Sequence, residues 1–575
     1  MVSTGDPPLK PNPHMNKLLR TINEMAEWKV LCAVVVVTVL MYAAVIHIEP
    51  GPNIMEARNL VAARECVTDG HWLVTTMNGE PRLRKPPLPT WTAALSMKAF
   101  GTTKSLVAAR APNIVVMALL AFFVYMLARS WLTKNFAFTA ALAAVTSSIM
   151  WNTGKRATWD VFTICFAFGG VWLLYKALYR GPSKEGSACP PEGLKAVITA
   201  TLLSGLLWGL SFLSKGPVTL YSVLLPFLLA LITAGLITRS RKELRWWPVP
   251  LILIIALLIG SSWWIAMNVL HPETMKILGQ ETQAWHTLHK KGPFFYLSYL
   301  LQVFPWTLPL IGSWILLFLK GRDGRELISG PKRRGLILAL LWFIFTIVLL
   351  SLIPEKKMRY ATVAILPSSL LVAILLSVLY ESGKKALPPT LRFLGSLLTI
   401  QLALVTVIVA LAPIYLTLWK GAPPKLLIFS AAAVLGYLII WKARGTIDAF
   451  IAGSAALVAL VVIMATFTDF SYLKPRSAHD DKGAARVAEL TKNKNFYLFR
   501  RGERVLWILG RSTELLLDRE PKEFPLYVLV KNTHIEEFNR WSLERRLSHK
   551  EVSRFAYGHR GETYILMKLD QGSTD

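Results

Sequence analysis

The polar stretch 49–91 follows directly on the first long apolar run and carries Glu49, Glu56, Arg58, Arg64, Arg82, Arg84 and Lys85. Carboxylates set beside clustered cations suit proton transfer at a hydroxyl next to an anionic leaving group. The run Arg82-Leu83-Arg84-Lys85-Pro86-Pro87 is either a solvated cationic face or a phosphate cradle. Its double proline favours the cradle, because proline fixes φ and holds the preceding residue extended. Asn53, just after Pro52 and three residues before Glu56, reads as the start of a helix running to about Asp69. Glu56 then either caps that helix or serves as a general base, with Glu49 competing for the same role. In such a helix Glu56 and Arg58 stand about 200° apart, at ~100° per residue.

Further along, Asp160 follows Lys155 and Arg156 at the mouth of an apolar run. An acid at a span end costs far less than the ~3 kcal/mol of a mid-helix charge, so Asp160 is either an interfacial residue or a third candidate base. Lys215, in Ser-Lys-Gly-Pro between two apolar runs, is a snorkelling lysine or a phosphate ligand. Lys356, Lys357, Arg359 and Tyr360 open another run, and His286, His289, Lys290 and Lys291 precede Gly-Pro-Phe. Two histidines three apart make no metal site without a third ligand.

The chain that must position these groups is mostly hydrocarbon-soluble: 575 residues, 53% hydrophobic and 17% charged. Apolar runs of about twenty residues, each able to cross a core of roughly 30 Å, indicate a polytopic α-helical membrane protein. Spans are expected at 28–48, 109–132, 135–152, 158–179, 195–213, 217–238, 248–269, 295–319, 335–354, 360–381, 391–416, 424–442 and 447–468, about thirteen in all. Arg239, Arg241, Lys242 and Arg245, then Arg322, Arg325, Lys332, Arg333 and Arg334, then Lys384 and Lys385 fill loops on the side of the N-terminal tail 1–27. The positive-inside bias makes that side cytoplasmic. The loop 49–108 is then external, as are the segments carrying Asp160, Lys215 and Arg359. A cationic cluster on the external side runs against that bias, and an external phosphate would account for it.

The net charge of +29 does not point to nucleic acid, because the basic residues sit in short loops between apolar runs. The four cysteines, Cys32, Cys66, Cys165 and Cys189, form no metal-spaced pair and no disulfide framework. The N-terminus reads as a retained anchor, its apolar run being too long for a signal peptide. From about 470 the texture changes. Strand-like alternation at 495–500, 504–508, 525–530 and 563–569, with helix-like stretches at 484–491 and 534–545, predicts a small external α/β domain over 470–575.

An ordered set of motifs then carries a resemblance. Ala63-Arg64-Glu65, Gly70-His71-Trp72-Leu73-Val74, Asn78-Gly79 and Lys85-Pro86-Pro87-Leu88 are followed by Arg156 and Asp160. Leu213-Ser214-Lys215-Gly216-Pro217, Gly292-Pro293-Phe294, Lys357-Met358-Arg359-Tyr360 and Leu366-Pro367 complete it. Over about residues 28–380 the chain resembles the GT-C glycosyltransferases of lipid-linked sugars, in particular the bacterial aminoarabinose (lipid A) transferases and the protein O-mannosyltransferases. The resemblance implies a transmembrane catalytic domain (28–469) with 49–108 as its external catalytic loop. It further implies a polyprenyl (undecaprenyl) phosphate sugar as donor, and a glycolipid, glycan or protein outside the inner membrane as acceptor. Glu56, Glu49 or Asp160 would be the catalytic carboxylate. Arg58, Arg82, Arg84, Lys85, Lys215, Lys357, Arg359, Tyr360 and His289 would surround the donor phosphate. In the family an Asp precedes the glutamate of the first loop; here Met55 stands there. Many relatives place a Glu just before the Lys-Pro; here it is Arg84, so no metal ligand set is assigned, and a divalent metal is the only cofactor left open. A flippase or transporter for lipid-linked saccharide, and a non-catalytic protein binding such a lipid, are the alternatives.

Overall fold

The computed structural model describes residues 17–46, 51–179, 193–238, 243–287, 290–318, 328–381, 389–420, 424, 427–442, 477–518, 523–559 and 562–571. Among these, eight helices are long and apolar enough to cross a membrane: Leu106–Ala128, Trp159–Leu178, Leu194–Lys215, Leu220–Ile237, Pro248–Leu270, Gly330–Leu352, Met358–Tyr380 and Pro389–Trp419. The first expected span is represented by Glu27–Ala43 and the twelfth by Leu427–Lys442; the thirteenth, 447–468, lies outside the described residues.

Helix pairs close up where side chains vanish. Gly205 and Gly209, one turn apart on Leu194–Lys215, face Ile255 and Ile259 of Pro248–Leu270, and a Cβ on either glycine would come within 2.7 or 2.6 Å of an isoleucine Cβ. Gly260 answers from the other helix, against Phe212. Hydrocarbon gives no hydrophobic drive for helix pairing, so small residues that let backbones approach supply the dispersion contact instead.

Two expected spans prove discontinuous. The run 295–319 is a bent pair, Pro293–Gln302 and Thr307–Ile315, turned by 114°. Pro305, at the break, has no N–H to propagate the helix, and the freed Phe304 carbonyl accepts the Ser148 N–H at 2.9 Å. The run 135–152 is split into Lys134–Thr146 and Ser148–Gly154 by the extended Ser147.

Outside the spans, the helix Ile54–Thr68 leads into a two-residue hairpin, β1 (Thr76–Met77) and β2 (Glu80–Pro81). Asn78 and Gly79 turn it with φ of 62° and 78°, the left-handed pair that Asn-Gly adopts at least cost.

Residues 477–571 build a six-stranded mixed sheet from β3 (Ser477–His479), β4 (Phe496–Leu498), β5 (Glu514–Leu515), β6 (Leu526–Lys531), β7 (Leu547–His559) and β8 (Thr563–Gln571), in the order β3-β7-β8-β6-β4-β5. β4 runs parallel to β5 and β6; the remaining pairings are antiparallel. Along β6, Tyr527 and Leu529 pack on one face beside the helices Asp481–Leu490 and Glu503–Leu509, while Leu526, Val528 and Val530 meet Phe538 on the other. The stretch 504–508, expected as a strand, is helical: Val505, Leu506 and Leu509 fall on one helical face, buried against Leu60, Val61 and Cys66 of the Ile54–Thr68 helix. Alternation over five residues could not distinguish the two periods.

Candidate active site

Asp160 lies in the first turn of Trp159–Leu178, and Lys215 is the last residue of Leu194–Lys215. The two are ion-paired, with 9% and 16% of their side chains exposed. An acid at a helix N-terminus and a base at a C-terminus both complement the helix dipole. Gly216, at φ 88°, ends the second helix immediately after the lysine.

Lys215 Nζ also lies 5.3 Å from the centre of the Tyr360 ring, which Arg359 approaches at 5.6 Å and Lys357 at 5.8 Å. Three cations thus gather around one aromatic ring, each within reach of its quadrupole. The charges of Lys215, Arg359 and Lys85 all act on the Asp160 carboxylate. Arg82 stacks over the indole of Trp159, 4.5 Å from its centre, next in sequence to Asp160. The Nε of Arg359 and the Nε1 of Trp159 are buried N–H donors with no acceptor among the described residues.

Glu355 is a member of this cluster that sequence reasoning overlooked. It is buried, ion-paired to Lys357, and accepts the Tyr360 hydroxyl at 3.1 Å. The signal available was its place directly before the basic run. Asp160–Lys215 and Glu355–Lys357 therefore flank one tyrosine ring.

The loop that carries Lys85 is stiff. Arg82 N–H donates to Thr75 O at 2.7 Å, Leu83 is buried, and Pro86 and Pro87 are buried where the helix Leu88–Ala99 begins.

Other expected site residues stand elsewhere. Asn53 does cap Ile54–Thr68, its Oδ1 accepting the N–H groups of Met55 and Glu56 at 3.0 and 2.9 Å. Glu56 does not reach back to complete a capping box. Its carboxylate is forked by Arg110, Nε to Oε1 at 2.7 Å and Nη2 to Oε2 at 2.9 Å, and Oε1 also accepts the Ala157 N–H at 3.0 Å. Both side chains are 0% exposed. That geometry does not support Glu56 as a base, because neither oxygen is open to a substrate. Arg58 points away from Glu56, as the helical angle requires, and pairs with Glu503 at 2.7 Å. It is thus a link to the helix Glu503–Leu509 rather than part of the Asp160 cluster. Arg84 is exposed and forms no ion pair among the described residues. Glu49 and His289 lie outside the described residues.

The helix Glu503–Leu509 and the residue before β5 hold the 54–81 stretch at several further points. Arg64 donates to Leu506 O at 3.0 Å and Trp507 O at 3.3 Å. Burial lowers its guanidinium to about 10, against the opposing charges of Glu65 and Asp69. Asn78 exchanges two hydrogen bonds with the Thr513 backbone at 2.6 and 2.7 Å.

For a divalent metal the residues fit poorly. The position before Lys85 holds Arg84, a cation. Glu65, Asp69 and His71 bring ligand atoms within 4.8 Å of one another, but Glu65 already accepts Asn78 N–H, Ser512 Oγ, Thr76 Oγ and Gly79 N–H at 2.6–3.2 Å. An ion there would have to displace a satisfied shell.

A sequence family described as dolichyl-phosphate-mannose-protein mannosyltransferase matches residues 84–265, which include Lys85, Asp160 and Lys215. Two curated relatives are undecaprenyl phosphate-alpha-4-amino-4-deoxy-L-arabinose arabinosyl transferases of Aeromonas salmonicida and Aeromonas hydrophila. They are 25% and 26% identical over 396 residues, 67% of this chain and 67% of theirs. The crystal structure of ArnT from Cupriavidus metallidurans bound to undecaprenyl phosphate superposes with a TM-score of 0.66, covering 94% of this chain and 97% of that one at 15% identity. The resemblance to the GT-C glycosyltransferases of lipid-linked sugars holds. Its apo form matches with the same TM-score, at 18% identity. The likeness of fold to that structure covers 94% of this chain, more than the 28–380 on which the sequence motifs rest.

Proposed function

We propose that the protein is a membrane glycosyltransferase that moves a sugar from a polyprenyl phosphate carrier, undecaprenyl phosphate in the first instance, to an acceptor such as lipid A, another glycan or a protein. The observation that carries this reading is the buried Asp160–Lys215 ion pair set beside the Tyr360 ring that Lys357 and Arg359 also approach. Of the two candidate acids among the described residues, Asp160 is set in that cationic cluster, whereas Glu56 is fully occupied by Arg110 and Ala157.

In the reaction, Asp160 takes the proton of an acceptor hydroxyl, whose oxygen bonds the anomeric carbon. The bond from that carbon to the phosphate oxygen breaks, and its electron pair leaves with the lipid phosphate. Lys85, Lys215 and Arg359, with Lys357 and Tyr360 behind them, neutralise that charge in a low-dielectric site where fixed cations act most strongly. Lys215 is placed to serve both partners, released from Asp160 as the phosphate arrives. Arg82 stays beside the site through Trp159. Direct displacement inverts the anomeric centre.

The topology proposed with it has thirteen spans within 28–469, a cytoplasmic tail 1–27, and an external catalytic loop 49–108. An α/β domain over 470–575 lies on the external face of a bacterial inner membrane. The decisive experiment incubates purified protein with undecaprenyl phosphate-linked radiolabelled 4-amino-4-deoxy-L-arabinose and lipid A. Label in lipid A with release of undecaprenyl phosphate is the expected result. Label carried across a liposome bilayer with no transfer would instead make the protein a transporter.

A further inference from the structure

The Asp160 helix is entered through a tight turn, and buried side chains from two other helices hold both edges of that turn. Glu56 Oε1 accepts the Ala157 N–H at 3.0 Å, and Asn59, one helical turn on, donates to the Ala157 carbonyl at 3.0 Å. Asn113, from Leu106–Ala128, donates to the carbonyls of Gly154, at 3.0 Å, and Arg156. Each clamping group is itself fixed: Glu56 by Arg110, Asn59 Oδ1 by the Thr90 hydroxyl at 2.6 Å. Arg110 also donates to Ile46 O at 2.9 Å, at the end of the first span. Thr158, the residue that opens the Asp160 helix, makes no side-chain cap, so its entry geometry comes from these outside bonds.

We infer that Glu56, Asn59 and Asn113 are positioning residues, which hold the backbone of 154–157 and thereby set where the Asp160 carboxylate stands relative to Lys85, Lys215 and Arg359. This rests on the role given to Asp160 above. A carboxylate displaced by about 1 Å from a bound hydroxyl loses on the order of 10²-fold in rate, while the cations that bind phosphate stay in place. The clamp thus acts on the chemical step and leaves donor affinity alone.

Hydrogen exchange and kinetics test it together. Asn113→Ala removes two bonds to backbone carbonyls and no charge. Amides 154–160 are expected to exchange at least about tenfold faster in this variant, since local opening is what exchange reports. Its kcat should fall at least about tenfold with the Kd for undecaprenyl phosphate within about twofold, the signature of an interaction needed only in the transition state. Unchanged exchange overturns the clamp whether or not transfer is detected, whereas absence of transfer by the wild type counts against the function and leaves the exchange result standing. Glu56→Ala loses both the charge and the acceptor for Ala157. The double variant E56Q/R110Q leaves no buried charge and keeps an amide oxygen for that N–H. It is expected to turn over about tenfold faster than Glu56→Ala. Equal inactivity of the two, in folded protein that still binds undecaprenyl phosphate, would assign Glu56 to the chemistry and end the positioning role.

Discussion

Asp160 and Lys215 meet as an ion pair across the ends of two neighbouring spans, one at a helix N-terminus and the other at a C-terminus. Each helix dipole favours the charge it carries, and each charge keeps the other tolerable where water is scarce. The mechanism proposed above uses the pair as a resting arrangement that an arriving phosphate divides.

Asp160→Asn should lower kcat by about 10²–10⁴-fold, the usual worth of a positioned general base. Undecaprenyl phosphate binding should hold or strengthen, because a carboxylate is removed from beside the anion. Single-turnover transfer and lipid binding, measured on the same preparation, check both halves.

Lys215→Ala is expected to be worse for the fold than the double variant D160N/K215M. Stranding one member of a buried pair costs about 3–5 kcal/mol, whereas replacing both is often near neutral. Thermal midpoints of the three proteins in one detergent settle the order, and a single variant as stable as the double would show that the pair is well hydrated.

Lys85→Ala should weaken undecaprenyl phosphate binding by about tenfold or more, at about 1.5–3 kcal/mol for a hydrogen bond to a charged group. Arg84→Ala, one residue away but exposed, should leave the affinity within about twofold. Titration of both variants with undecaprenyl phosphate distinguishes a built cradle from general cationic attraction, in which the two losses would be alike.

The spans were legible because hydrocarbon thickness imposes a length and a composition on each, and the fixed backbone around Lys85 was legible because two prolines announce it. Arg58 was half legible. Helical geometry forbade it to share a pocket with Glu56, but nothing local named Glu503, 445 positions away, as its partner. Glu56 could not be resolved from sequence, since a capping acid, a base and a buried ion pair all begin as a glutamate three residues after an asparagine. Arg110, its partner, lay in an expected span, where an arginine was the unread signal. Discontinuous spans escaped for a related reason: the run around Pro305 carries no charge from 295 to 319, and hydropathy does not report a bend.

The cysteines offer a chemical check on the loop. Burial pushes the Cys66 thiol up to about 12, and its Sγ donates to the His71 carbonyl at 3.2 Å. At pH 8 the thiolate is the reactive form and is scarce in the folded loop, so maleimide labelling of Cys66 should be slow in the intact protein and fast after denaturation. Fast labelling under native conditions would mean that the Ile54–Thr68 helix opens readily from the helices packed against it.

Gly260→Leu tests how the Asp160–Lys215 junction is held at long range. Any Cβ at this position would lie 2.1 Å from Phe212 Cδ1, closer than packed carbon atoms can approach, so the Leu194–Lys215 and Pro248–Leu270 helices must separate. Overpacking of this kind costs about 1–3 kcal/mol, and here it also displaces the helix that ends in Lys215. The expected outcome is a lowered thermal midpoint with weakened undecaprenyl phosphate binding, although Gly260 itself touches no part of the site. Gly279→Leu, at a position with open space around it, is the matched control and should change neither quantity. If the two variants behave alike, the glycine seam does not carry the position of Lys215.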